Sequence, residues 1–130
     1  MKILVTGDRQ WDDYDLMRRV LWEYAPPTYL GYDVTLIHGD AKGADQMAAK
    51  IAFLFGWQVR KYPAQWHKYH RTAGPIRNRQ MLDIEQPDLV IAFHKHWERS
   101  KGTKDMVAYA EKRGVLVRFV PERNFFPSET

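Results

Sequence analysis

Five short apolar runs alternate along the chain with four stretches whose apolar residues recur at helical spacing. The runs cover residues 2–6, 33–38, 57–62, 88–93 and 115–120, and the helical stretches cover 13–24, 43–56, 75–86 and 103–113. In the second helical stretch Ala44, Met47, Ala48, Ile51, Ala52 and Phe55 fall on one face, the repeat expected of an amphipathic helix. Asp12 or Asp13 can cap the first helix, and Gly114 stands where a C′ glycine closes the last one. The runs show little polar alternation, which suits strands buried on both faces. Strict β-α alternation of such runs predicts an α/β three-layer sandwich around a five-stranded parallel sheet. Residues 1–120 read as a single domain and 121–130 as a C-terminal tail.

Two connections depart from the pattern. Residues 25–32 are punctuated by Pro26 and Pro27, and 63–74 form a long irregular segment carrying Trp66, His67, Tyr69, His70 and Arg71. In the tail, Phe125-Phe126-Pro127 are expected to pack back on the domain, with a homodimer contact as the alternative.

Composition narrows the class. A chain of 130 residues can bury a core without staples, and the absence of cysteine excludes disulfides and thiolate metal sites. No apolar stretch approaches the length of a membrane span, and residues 1–7 lack the apolar segment of a signal peptide. A cytoplasmic protein without membrane partners is expected. The net charge of +4 suits an acidic partner, nucleotide or nucleic acid, although a solvated surface would carry the same excess.

The chemistry gathers at the carboxyl ends of the runs, where open α/β sheets bind ligands. Gly7-Asp8-Arg9 follows the first run, and Gly39-Asp40-Ala41-Lys42-Gly43-Ala44-Asp45 joins the second run to a helix. Two glycines permit a sharp turn there, and the N–H groups of the helix's first turn attract an anion. Lys42 adds a positive charge, so this segment reads as a phosphate cradle. Asp40 and Asp45 could hold a ribose hydroxyl or position water, or could simply cap the helix. Gly74-Pro75 reads as a helix start with Pro75 first. That puts Arg77 and Arg79 near a positive dipole end, where an anion would offset them. Arg77 is assigned to the ligand; Arg79 is expected to pair with Asp83, four residues on. Gly102-Thr103 could donate further N–H groups to phosphate, with Thr103 as a plain N-cap otherwise. Trp66 or Tyr69 could stack a base, or both could only anchor their loop. His67 and His70 lack a third ligand at matching spacing, so no metal or other cofactor is expected.

Three segments together carry a family resemblance. Val5-Thr6-Gly7-Asp8-Arg9, His38 through Asp45, and Ala73-Gly74-Pro75-Ile76-Arg77-Asn78-Arg79 followed by Met81-Leu82 resemble the YspA-like branch of the SLOG superfamily, found in bacteria and their phages. The resemblance spans roughly residues 1–120. It implies a Rossmann-like sheet ordered 3-2-1-4-5 that binds nucleotides or nucleotide-derived ligands. Its relatives include the LOG enzymes, which cleave the N-glycosidic bond of nucleoside monophosphates, and the DNA-binding protein DprA. Arg77 matches the place of the LOG catalytic arginine. The LOG catalytic glutamate, counted from Thr103, falls on Met106, with Asp105 one residue early.

The expected function is binding of a phosphate- and ribose-bearing ligand of ADP-ribose type, as sensor or carrier. Gly7, Arg9, Gly39, Asp40, Lys42, Gly43 and Arg77 would line its phosphate side, with Asp8, Gly74, Pro75, Gly102 and Thr103 as further ligand-binding candidates. Asp45 and Asn78 would contact ribose or base, and Trp66 would cover the base. The first alternative is an N-glycosidase acting on nucleoside monophosphates, with Arg77, Asp45 and Asp105 as catalytic candidates. Single-stranded nucleic-acid binding is the second alternative.

Overall fold

The computed structural model describes residues 1–25 and 34–122. Its elements are β1 (Lys2–Gly7), α1 (Tyr14–Trp22), β2 (Thr35–His38), α2 (Ala44–Leu54), β3 (Gln58–Lys61), α3 (Trp66–Tyr69), α4 (Ala73–Glu85), β4 (Leu89–Phe93), α5 (Lys101–Lys112) and β5 (Leu116–Val120). All strands are parallel, in the order β3-β2-β1-β4-β5. This is the Rossmann-like sheet expected from the sequence.

Alternate residues of β1 point to opposite faces and divide the core in two. Ile3 and Val5 pack with Met17, Leu21, Ala48 and Ile51 of α1 and α2. Leu4 packs with Ile37 and Val90 of the flanking strands and with Met81, Leu82, Met106 and Ala110 of α4 and α5. Helices thus cover both faces, completing the three layers. Asp13 caps α1 by accepting from Leu16 N at 3.0 Å, and Gly114 follows α5 with φ +75°. No helix among the described residues is long and apolar enough to cross a membrane.

Three expectations need correction. The third run, read as buried, is an edge strand whose four residues are all exposed; Arg60 and Lys61 there guard an open edge. The segment 63–74 is not irregular throughout: it contains α3 and a 3-10 turn over His70–Thr72 that leads directly into α4. Helix α4 therefore starts at Ala73, and Pro75 is its third residue, where the missing N–H is still one of the first-turn donors without a helical acceptor. Residues 26–32 of the proline-punctuated connection, residue 33 of the second run and Phe125-Phe126-Pro127 lie outside the described residues.

At its far end α4 is tied to the sheet through Glu85. Its carboxylate accepts from Tyr62 Oη at 2.6 Å and Arg60 Nη1 at 2.7 Å, with Lys2 Nζ at 3.4 Å. Burial alone would raise the Glu85 pKa, but the hydroxyl and the two cations hold it below its ordinary value.

Candidate functional site

The strand order reverses between β1 and β4, and a crevice of about 460 Å³ opens there beyond the strand ends. The β1–α1 loop, the β4–α5 loop and α4 supply its walls. Gly7 forms its floor. A Cβ at Gly7 would lie 2.4 Å from Phe93 O and 2.7 Å from Ala44 Cβ, so only glycine lets β1, β4 and α2 converge. Asp8, Arg9, Asp45, Arg77, Asn78, Gly102 and Thr103, all ligand candidates from the sequence, line this crevice. Gly39, Asp40, Lys42 and Trp66 line a neighbouring cavity of about 350 Å³, which shares Arg9, Ala41 and Arg77 with the crevice.

The segment Gly39 to Asp45 is arranged differently from a cradle of free donors. Gly39 N and Ala41 N donate to Asp45 Oδ2 at 2.9 and 3.3 Å, and Asp40 N donates to His38 Nδ1 at 2.9 Å. Ala44 N donates to Asp8 O at 3.0 Å. These donors already have acceptors within the protein. The Arg77 guanidinium occupies the space a Cβ at Gly39 would take, and Gly43 is required because the carbonyls of Asp8 and Arg9 crowd the space of its own. Gly43 also has φ +76°, a region costly for other residues. Here the glycines serve close packing of the chain on itself.

Asp45 is 6% exposed. Burial raises its carboxyl pKa to about 6, against the lowering influence of its backbone donors and of Arg77. Beside it, burial lowers the His38 pKa and keeps that ring neutral.

Arg77 donates from Nη1 to the carbonyls of Gly39 and, at 3.3 Å, of Tyr62; its Nε donates to Asn78 Oδ1 at 3.0 Å. It is the fifth residue of α4, beyond the first turn, so the dipole argument for an anion beside it loses its force. Asn78 continues the chain, donating from Nδ2 to Asp105 Oδ2 at 3.1 Å and to Gly102 O at 3.4 Å. Arg79 pairs with Asp105 at 3.3 Å rather than with Asp83. The reason is geometric: α5 lies alongside α4 and offers the nearer carboxylate, while Asp83 is engaged by Arg113 and Tyr109. Asp105, a catalytic candidate from sequence, is thus held between Asn78 and Arg79. Met106 is fully buried in the core.

The opposite wall is richer than expected. Helix α5 begins at Lys101, two residues early, because Ser100 is the N-cap: its Oγ accepts from Thr103 N at 3.2 Å and its carbonyl from Lys104 N at 3.0 Å. The N–H groups of Lys101 and Gly102 are taken up by neither. Thr103, 2% exposed, lines the crevice, and its buried hydroxyl has no hydrogen-bond partner among the described residues. His94 lines the crevice directly after β4 and was not singled out from the sequence. Its Nδ1 accepts from His96 N at 2.9 Å, which leaves Nε2 to carry the proton of the neutral ring. That Nε2 lies 3.9 Å from Asp8 Oδ2. The position of His94 at a strand's carboxyl end was the signal available.

A family model described as "YspA, cpYpsA-related SLOG family" matches residues 1–69. The chain belongs to this SLOG family. The Gene 61 protein of Mycobacterium phage D29 is 30% identical over 127 residues, covering 89% of this chain and 93% of that protein. An X-ray structure of DNA processing protein A (DprA) from Streptococcus pneumoniae superposes with a TM-score of 0.74 at 17% identity. The match covers 95% of this chain but 51% of DprA, so this SLOG chain spans about half of that protein. At that identity the likeness establishes the fold. SLOG membership and fold are consistent with a role related to nucleotides or nucleic acids.

Proposed function

We propose that the crevice binds a nucleotide or nucleotide-derived ligand of ADP-ribose type, as a sensor or carrier. The observation that carries this reading is the buried, unpartnered Thr103 hydroxyl at the start of α5. A buried hydroxyl without a partner is costly, and a phosphate oxygen would satisfy it. The adjoining N–H groups of Lys101 and Gly102 and the positive end of the helix favour the same anion. Arg9, exposed on the facing loop, adds charge. The Asp8 carboxylate and His94 Nε2–H present an acceptor beside a donor, too far apart to bond each other but suited to ribose hydroxyls between them. Arg77 and Asn78 act chiefly as positioning residues.

The test is calorimetric titration of purified protein with nucleoside monophosphates and ADP-ribose, comparing wild type with Thr103→Val. The substitution keeps shape and removes only the hydroxyl, so stability should hold or rise. Affinity should fall about 5- to 15-fold, equivalent to one hydrogen bond. Equal affinity in both proteins would refute the assignment of phosphate to this helix end.

One observation supports a second reading, N-glycosidase action. Asp45 faces the crevice with its pKa raised to about 6, the range of a general acid–base group. Free base released from a bound nucleotide, and lost in Asp45→Asn, would favour it.

A further inference from the structure

We propose that the crevice and its neighbouring cavity form one two-chambered site for a ligand with two nucleoside units joined through phosphate. The proposal rests on the nucleotide reading above and extends it. The second chamber, about 350 Å³, is within the size range of small-molecule sites. It combines an aromatic plane, Trp66, with the cations of Arg9 and Lys42 and the carboxylate of Asp40. Trp66 is 48% exposed although it is the largest side chain of its segment. Its ring lies near the start of α4, where a Cβ added to Gly74 would meet Trp66 Cη2 at 3.5 Å. It lines the chamber and about half of the residue is open. An exposed aromatic face of this kind takes any nucleobase by stacking.

Asp40 adds a second feature. Its backbone is held at φ +58° while its N–H is tied to His38 Nδ1. Its carboxylate has no hydrogen-bond donor among the described residues, leaving an acceptor for a ribose hydroxyl. Lys42 stands on the same wall, exposed.

The two chambers share Arg9, Ala41 and Arg77. Arg77 is bound to backbone carbonyls and to Asn78, which leaves Arg9 as the exposed cation at the junction. A phosphate linker between the α5 start and Arg9 would bring one nucleoside into the crevice and the second base onto Trp66. A mononucleotide would leave the second chamber empty.

The experiment titrates AMP, GMP, diadenosine diphosphate, diguanosine diphosphate and a short single-stranded oligonucleotide, by calorimetry and tryptophan fluorescence. The expected result is that one dinucleoside diphosphate binds about tenfold or more tighter than its mononucleotide, the gain of one stacked base. Trp66→Leu should abolish that gain and leave mononucleotide affinity unchanged. Trp66→Phe, which keeps an aromatic plane, should retain most of it. Thermal melts would confirm that both variants fold. Mononucleotide binding without a dinucleotide gain would overturn the two-chambered site and leave the nucleotide reading standing. No binding by any of the four nucleotides or by ADP-ribose would overturn both. An oligonucleotide that binds more tightly than either dinucleotide, with affinity falling steeply in salt, would replace the small ligand with a nucleic-acid strand.

Discussion

Replacing Asp45 with Asn should make the protein more stable at neutral and alkaline pH and leave it unchanged in acid. Asp45 is buried and its carboxyl pKa stands at about 6 against an ordinary 3.8. The native state therefore holds the proton more tightly than the unfolded chain. Its contribution is fully present below about pH 4 and is lost as pH rises through 6. A shift of about two units, at about 1.4 kcal/mol each, costs about 3 kcal/mol once the group is charged. An Asn side chain retains an oxygen to accept from Gly39 N and Ala41 N and never ionises. Other groups titrate too: burial lowers the pKa of His38, and its contribution grows with pH as its proton leaves. The difference between the two proteins at each pH removes such shared terms. Urea melts of wild type and Asp45→Asn from pH 4 to 8 should coincide at the acid end and separate by about 2–3 kcal/mol above pH 7. Parallel stability profiles, or a variant less stable at pH 8, would refute the reasoning.

Arg77→Lys keeps a positive charge but cannot reproduce the fork that joins Gly39 O, Tyr62 O and Asn78 Oδ1. A loss of about 1–3 kcal/mol in chemical denaturation is expected even without ligand, and undiminished stability would show that the fork is dispensable. Gly43→Ala combines a φ of +76° with a Cβ 2.3 Å from Asp8 O; it should lower the melting temperature markedly, whereas Gly102→Ala, with open space around its Cβ, should melt like wild type and lose ligand affinity.

The alternation of strands and helices was legible because each element is short, strongly patterned and covered by its neighbours in sequence. What escaped notice depends on contacts between distant segments. The 57–62 run reads as apolar through Trp57, Val59 and Tyr62, yet nothing in it says that β3 closes the sheet and stays exposed. Gly39 and Gly43 signalled a tight turn correctly. That an arginine from α4 and the β1–α1 loop fill the space beside them is a matter of tertiary packing. Arg79 had Asp83 at the right helical spacing and took Asp105 from the next helix instead. Thr103 was identified as a residue at a helix start. Its buried, unanswered hydroxyl could be recognised only once Ser100 was found to hold the cap.

The side-chain amide of Asn78 has a consequence for how the two walls of the crevice stay in register. Its oxygen faces a donor, Arg77, and its nitrogen faces two acceptors, Asp105 and Gly102. The group has one workable orientation, and turning it over would set donor against donor and acceptor against acceptor. It behaves as a keyed pin between α4 and the mouth of α5: the helices cannot slip past one another without breaking the bonds from its nitrogen to Asp105 and Gly102, while its oxygen stays tied to Arg77 on its own helix. Through Arg77 that pin reaches Gly39 at the rim of the second chamber. In the two-chambered site proposed above, the spacing between the chambers would be gauged by one polar side chain, 5% exposed, that need not touch a ligand to determine which lengths of ligand fit.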